Sequence, residues 1–99
     1  MRTILVVDDE KSVRESIGMI LQYEKYNVLF AENGLKALQA VKESAVDAVL
    51  LDIKMPSGMD GIEVLRELKK VNGDIPVIMI SGHGTFETAV EAWIKSLIK

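Results

Sequence analysis

The chain has 99 residues, of which 48% are hydrophobic, and its formal net charge is −3. This length suits one small domain, residues 1–99, with enough apolar side chains for a packed core. The acidic balance argues against a surface for nucleic acid or for an anionic membrane, and the absence of cysteine excludes disulfides and Cys-zinc sites.

The longest uninterrupted apolar runs span four residues, as at 4–7 and 77–80. A membrane-spanning helix needs roughly 20 apolar residues, so these runs are far too short. The first residues also lack the apolar region of a signal peptide. We therefore expect no membrane segment and a cytoplasmic location.

The first strand–helix unit is the clearest in the sequence. Ile4 to Val7 is a β-branched run that acidic residues end at once, which predicts a strand buried on both faces. A helix is predicted from Ser12, which would cap it, with Glu15 three residues later completing a capping box. The apolar residues that recur at helical spacing are Val13, Ile17, Ile20 and Leu21.

Two further strand–helix units follow along the chain. Val28–Phe30 predicts a second strand, followed by a helix from about Gly34. Ala48–Leu51 predicts a third buried strand, and Asp60 or Gly61 opens the next helix. The apolar faces are predicted to be Leu35, Leu38 and Val41 in the first of these helices, and Ile62, Leu65 and Leu68 in the second.

The last unit begins where Asn72–Asp74 ends the third helix. Ile75–Ile80 predicts a fourth strand, with Pro76 tolerated near its start. Ser81–Gly84 is a loop, and Thr85 can cap a fourth helix. The order βαβαβαβα with short connections predicts an α/β fold whose parallel sheet carries helices on both faces.

Acidic and hydroxyl side chains follow three of the four predicted strands. Asp8 and Asp9 follow the first strand, Asp52 the third and Ser81 the fourth. Because the carboxyl ends of parallel strands share one edge, we expect these groups to converge. Carboxylates brought together repel one another unless a cation neutralises them, and oxygen ligands alone favour a hard ion such as Mg²⁺. The simpler interpretation, that these acids only cap the following helices, accounts for Asp8 alone better than for the whole group.

Three segments resemble the response regulator receiver domain family, which is CheY-like, and the third of them resembles its NtrC-like branch. They are Ile4–Glu10, the segment Val49–Pro56 followed by Met59–Gly61, and Val77–Thr85. The resemblance runs from about residue 3 to about residue 92 with the three motifs in order. It implies a flavodoxin-like fold and a regulatory switch rather than a turnover enzyme.

The resemblance also implies a role for each site residue. Asp52 would accept a phosphoryl group from a sensor histidine kinase. Asp9 and Asp52 would bind Mg²⁺ directly, Asp8 would bind it through water, and the backbone carbonyl of Lys54 would complete the protein ligands. The Ser81 hydroxyl would turn towards the phosphoryl oxygens and signal to the fourth helix.

Two departures from the family pattern stand out. The loop Pro56–Gly61 carries one residue more than is usual, which a surface loop tolerates. Beyond Ala92 the sequence shows no counterpart of the fifth strand, its lysine and the fifth helix, so we expect a receiver fold that lacks both elements. A bare sheet edge of this kind favours a homo-oligomer, with exchange of elements between copies as one form. The last helix would have a broad apolar surface, made of Trp93, Ile94, Leu97 and Ile98.

Other functions remain open at this point. A receiver fold without its lysine could serve as an interaction or assembly module that is no longer phosphorylated. A metal-dependent phosphatase of the dehalogenase type would require Asp-x-Asp after the first strand, and Asp8-Asp9-Glu10 lacks that spacing. His83 is the one histidine of the chain and is interpreted as a loop residue, since a single histidine cannot build a metal site.

Overall fold

The computed structural model describes residues 2–53 and 60–80. Predictions that concern Lys54, Ser81, His83 and the helix from Thr85 lie outside these residues. Within them, strands and helices alternate as β1 (Thr3–Val7), α1 (Lys11–Tyr23), β2 (Asn27–Ala31), α2 (Gly34–Glu43), β3 (Ala48–Asp52), α3 (Gly61–Val71) and β4 (Val77–Ile80). None of the three described helices combines the length and the apolar character that crossing a membrane requires.

The four described strands form one parallel sheet in the order β2-β1-β3-β4. β1 and β3 are the inner strands, with Ile4 opposite Ala48 and Val7 opposite Leu51. The chain leaves β1 towards one side of the sheet and returns to place β3 on the other side, so the strand order reverses between these two strands. In sheets of this kind, ligands bind at the carboxyl ends of the strands beside such a reversal.

The helices cover both faces of the sheet, as the alternation of elements predicts. On one face, Ile17 and Leu21 of α1 pack against Ile4, Val6 and Leu50 of the inner strands. On the other face, α2 and α3 pack together against the sheet. That second core is made of Leu5, Val7, Ala31, Ala37, Val49, Leu51, Val64, Leu68 and Ile75. The sheet is therefore a rigid central layer, and the predicted flavodoxin-like architecture is confirmed.

The predicted start of α1 is wrong. Glu10 rather than Ser12 precedes the first helical residue, and no side chain caps this helix. The helix starts earlier because the chain turns directly after the strand: the Glu10 amide donates to the Asp8 carboxylate at 2.9 Å, and the Arg14 amide donates to the Glu10 carbonyl at 3.1 Å. An acidic side chain of the strand end thus takes the place of a cap.

Two residues that were predicted to face the core do not. Leu35 is 73% exposed and Ile62 is 45% exposed. In α2 the buried positions are the small residues Gly34 and Ala37, and the larger residues Leu38 and Val41 are only partly buried. Val64 takes the central buried place in α3. The other four predicted residues are confirmed, because Leu68 is buried in the core and Leu38, Val41 and Leu65 pack against it.

The fourth strand begins at Val77, two residues later than predicted. Pro76 has no N–H to donate to a strand partner, although its carbonyl accepts from the Val49 amide at 3.0 Å. Ile75 is still buried, and its carbonyl accepts a hydrogen bond from Lys69 Nζ at 2.5 Å. The segment before the strand is therefore fixed by packing and by a side chain.

The first residue of α3 lies unusually close to the end of β3. A Cβ atom added to Gly61 would be 2.7 Å from the Ile53 Cα and 2.8 Å from the Asp52 carbonyl oxygen. The Gly61 amide donates to the Ile53 carbonyl at 3.2 Å, and the Asp60 carboxylate caps the helix through the Glu63 amide at 2.9 Å. The neighbouring atoms are backbone and cannot turn aside, so only glycine allows this approach.

We expect Gly61→Ala to lower the free energy of unfolding by about 1–3 kcal/mol, because the added methyl group must push the backbone of Asp52 and Ile53 away. Gly73→Ala is the matched control, since its Cβ would meet only the Lys69 carbonyl oxygen at an ordinary 3.6 Å. Urea unfolding of both variants measures the difference. Equal free energies of unfolding for the two variants would show that the backbone at the end of β3 can shift at little cost.

Candidate metal centre

The pairing of the two inner strands places Asp8 and Asp52 side by side. β1 and β3 pair with a constant offset through Val7 and Leu51, so the next positions, Asp8 and Asp52, are opposite each other at the strand ends. Side chains alternate along a strand, and Val6 and Leu50 point to the α1 face. The carboxylates of Asp8 and Asp52 therefore leave the sheet on the same face.

Three carboxylates meet at this edge of the sheet. One oxygen from each of Asp8, Asp9 and Asp52 lies within 4.8 Å of the others. Asp8 is 5% exposed and Asp52 is 8% exposed, whereas Asp9 is half-buried. The cluster is therefore buried at Asp8 and Asp52 and accessible to solvent at Asp9.

The electrostatics of Asp8 reflect this crowding. Burial, together with the smaller effect of the negative charges of Asp52, Asp9 and Glu10, raises the pKa of Asp8 from 3.8 to about 6. The hydrogen bond from the Glu10 amide acts in the opposite direction and lowers the pKa. Desolvation is thus the main cause, and repulsion between acids adds to it. A nearby cation would therefore stabilise the ionised form of Asp8 more than it would stabilise an exposed carboxylate.

Helix α1 holds the backbone at the end of β1. Arg14 Nη1 donates to the Asp8 carbonyl oxygen at 2.7 Å, and the Asp8 amide donates to the Ala31 carbonyl at 3.1 Å. The sequence reasoning did not identify Arg14. Its position four residues into a helix that directly follows strand-end acids was the one available signal, because a helical side chain reaches back towards the N-terminus.

The ligand atoms suit a hard divalent cation. Mg²⁺ prefers oxygen ligands at about 2.1 Å, so two ligands on opposite sides of the ion are about 4.2 Å apart. Three carboxylate oxygens within 4.8 Å of one another agree with a site of that size that includes water. No cysteine exists in the chain to provide the sulfur ligands that softer metals prefer.

Of the five residues predicted for the site, the structure brings together Asp8, Asp9 and Asp52. Lys54 and Ser81 lie outside the described residues. Ser81 directly follows Ile80, and Ile80 is paired in register with Asp52. Gly61 is a second residue whose importance the sequence reasoning did not identify, since it was considered only as a possible helix start.

Comparison with known proteins agrees with this geometry. Residues 4–97 match the family described as response regulator receiver domain. An NtrX-like response regulator of Rickettsia bellii is 48% identical over 90 residues, which are 90% of this chain and 19% of that protein. The transcriptional regulatory protein ZraR of Klebsiella oxytoca is 46% identical over 89 residues, 90% of this chain and 20% of that protein. The chain thus spans about a fifth of the length of these curated relatives.

Solved structures show the same fold. NtrX from Brucella abortus superposes with a TM-score of 0.79 at 42% identity, over 94% of this chain and 21% of that one. TrrA from Thermotoga maritima, solved in complex with Mg²⁺-BeF, gives 0.78 at 38% identity over 95% of this chain and 81% of that one. With the family match covering residues 4–97, this chain belongs to the response regulator receiver domain family of two-component systems.

Proposed function

We propose that the chain accepts a phosphoryl group on Asp52 from the phosphohistidine of a sensor histidine kinase, with Mg²⁺ bound at the carboxylate cluster. The observation that carries this proposal is the meeting of Asp8, Asp9 and Asp52 within 4.8 Å at the ends of the two inner strands. Asp52 closes a strand whose five residues are all buried, so its carboxylate has a fixed origin and direction.

The transfer uses few protein groups. An oxygen of the Asp52 carboxylate attacks phosphorus and forms a P–O bond while the P–N bond of the phosphohistidine breaks. The electron pair of that bond returns to the imidazole nitrogen, which takes up a proton. Phosphoryl transfer depends mainly on alignment and charge neutralisation, and a rigid strand end provides the alignment. When bound, Mg²⁺ supplies the positive charge that offsets repulsion between the carboxylates and the incoming group.

The remaining members of the site belong to this proposal. Asp9 and Asp52 bind the ion directly, Asp8 binds it through water, and the backbone carbonyl of Lys54 completes the protein ligands. The Ser81 hydroxyl contacts the phosphoryl oxygens and transmits the change to the following segment. The Mg²⁺-BeF complex of TrrA supports the choice of metal, since TrrA is 38% identical to this chain.

In this proposed function the chain is a regulatory switch and not an enzyme that turns over a substrate. The covalent product forms on the chain itself, so self-catalysed transfer and dephosphorylation are its only chemistry. The expected homo-oligomer stays a prediction, which light scattering at micromolar concentration tests. Any transcriptional output belongs to the longer relatives, of which this chain spans about a fifth.

Incubation with acetyl phosphate and Mg²⁺ is expected to add one phosphoryl group to the chain, detected by intact mass spectrometry. Asp52→Asn should abolish the adduct, because an amide is a far weaker nucleophile than a carboxylate. Asp74→Asn is the matched control, since Asp74 is an exposed residue of the α3–β4 connection and should be modified like the wild type.

Three outcomes would count against the proposal: an adduct that survives Asp52→Asn, an adduct that forms equally without Mg²⁺, or no adduct at all. The last of these would favour the interaction or assembly module over the phosphoacceptor.

The raised pKa of Asp8 also predicts a pH dependence of stability. Well below pH 3.8 the carboxyl is protonated in the folded and the unfolded chain, so it contributes no difference. Well above pH 6 it is ionised in both states, but in the folded state at a cost set by burial and repulsion. The destabilisation therefore develops as the pH rises from about 4 to about 6 and is complete above that range.

Asp8→Asn is expected to raise the free energy of unfolding of the metal-free protein by on the order of 2 kcal/mol at about pH 8, and by much less at about pH 4. Asparagine keeps an oxygen for the Glu10 amide, so the turn is preserved. Urea unfolding at the two pH values measures the effect, with Asp74→Asn as the control. A gain that is independent of pH would exclude ionisation of Asp8 as its cause.

A further inference from the structure

We infer that Arg14 is a positioning residue of the metal centre: its guanidinium holds the carbonyl of Asp8 and so fixes the turn that carries Asp8 and Asp9. The inference deepens the proposed function and rests on it, because it assigns the residue that presents the first-strand carboxylates to the ion. Arg14 contacts neither the ion nor the acceptor oxygen in this proposal.

The backbone around Asp8 is held at three points. The Asp8 amide donates to the Ala31 carbonyl at 3.1 Å, which extends the ladder between β1 and β2. The Asp8 carboxylate accepts from the Glu10 amide at 2.9 Å, and the Asp8 carbonyl accepts from Arg14 Nη1 at 2.7 Å. Of the three, the bond from Arg14 is the one whose donor is a charged side chain. Charge-assisted bonds are roughly twice as strong as neutral ones.

Arg14 lies beside the aromatic side chain of Phe30 at a surface pocket. Arg14 lines a shallow surface pocket of about 240 Å³ together with Lys11, Glu15 and Phe30. Phe30 is on the edge strand β2, and its ring tip would lie 2.5 Å from a Cβ atom added to Gly18. Arg14 thus borders the same pocket as an aromatic side chain of β2, while its guanidinium reaches the end of β1.

The charge of Arg14 also acts on Glu32, the residue after β2. Lys36 lowers the pKa of Glu32 most, by hydrogen bond and by charge, and Arg14 adds a smaller lowering. The guanidinium thus lies within electrostatic reach of the residue that follows β2, while it donates to the end of β1. It therefore lies near both strand ends, although it makes its hydrogen bond to β1.

The carboxylates themselves give the reason for such a connection. Three acidic groups held within 4.8 Å repel one another, and the turn after β1 would relax to separate them if it were free to move. Each degree of freedom that the turn gains must be lost again when the ion binds, and that entropic cost weakens binding. Removing Arg14 should therefore weaken the affinity for Mg²⁺ and leave the acceptor chemistry intact once the metal is saturating.

The test compares three variants of the full 99-residue chain. Arg14→Met keeps the length and packing of the stem but donates no hydrogen bond. Arg14→Lys keeps a charged donor, and Arg66→Met is the matched control, since Arg66 is an exposed arginine of α3. Calorimetric titration with MgCl₂ gives the Kd, and the rate of modification by acetyl phosphate is measured over a range of Mg²⁺ concentrations.

We expect Arg14→Met to raise the Kd for Mg²⁺ by roughly tenfold. Its rate of phosphorylation should return to within about twofold of the wild type at saturating Mg²⁺, because the acceptor is untouched. Arg14→Lys should show an intermediate Kd, and Arg66→Met should match the wild type. A purely structural role would instead change the unfolding midpoint without this split between metal affinity and maximal rate.

An unchanged Kd for Mg²⁺ in Arg14→Met would overturn the inference. A phosphorylation rate that stays low at saturating Mg²⁺ would also overturn it, because Arg14 would then act on the phosphoryl donor and not on the metal site. If Arg14→Met does not fold, Arg14→Lys decides: a Kd for Mg²⁺ that rises by less than tenfold supports positioning through the carbonyl, and either an unchanged Kd or a complete loss of binding contradicts it. A wild-type chain that binds Mg²⁺ but is never phosphorylated would refute the proposed function, and the Kd comparison would still judge Arg14.

Discussion

The register between β1 and β3 forces two buried carboxylates to face each other, and the chemistry of the site follows from that constraint. Asp8 and Asp52 are opposite residues at the ends of neighbouring strands, which are about 4.8 Å apart in any sheet. Neither can move away along the chain, because Val7 and Leu51 just before them are almost fully buried. Repulsion at this point is therefore a permanent property of the fold, which a cation relieves and a proton on Asp8 relieves only in part.

The elements around the site differ in how they hold it. The inner strands supply a rigid floor, since β3 is buried along its whole length. The two helices that begin beside the site supply backbone contacts: α1 through the Glu10 amide and Arg14, and α3 through the close approach of Gly61 to Ile53. Strands thus fix where the carboxylates originate, and helix starts fix how the connecting turns lie. Variation in the connecting loops leaves the strand ends in place, which is why such a fold tolerates loop differences near its site.

Parallel-sheet geometry made part of this site predictable from the sequence. Buried β-branched runs that end in Asp8 and Asp52 imply convergence at one edge, whatever the details of the loops. Other features depend on tertiary contacts that no local pattern contains. Leu35 is exposed because the side of α2 that faces the sheet is centred on Gly34 and Ala37. The contact between Arg14 and the Asp8 carbonyl likewise depends on the angle at which α1 leaves the strand.

The atom that Arg14 binds explains how a cation can stand beside this cluster without competing for it. A guanidinium paired directly with the Asp8 carboxylate would neutralise the repulsion by itself and occupy the position that the ion needs. Bound to the carbonyl at 2.7 Å, the same guanidinium holds the backbone and leaves an oxygen of the Asp8 carboxylate within 4.8 Å of oxygens of Asp9 and Asp52. The cluster thereby keeps a negative charge that is compatible with a divalent ion such as Mg²⁺. The proposed function requires this separation, because a site that was permanently neutralised by a guanidinium would have no need of the metal and no response to it.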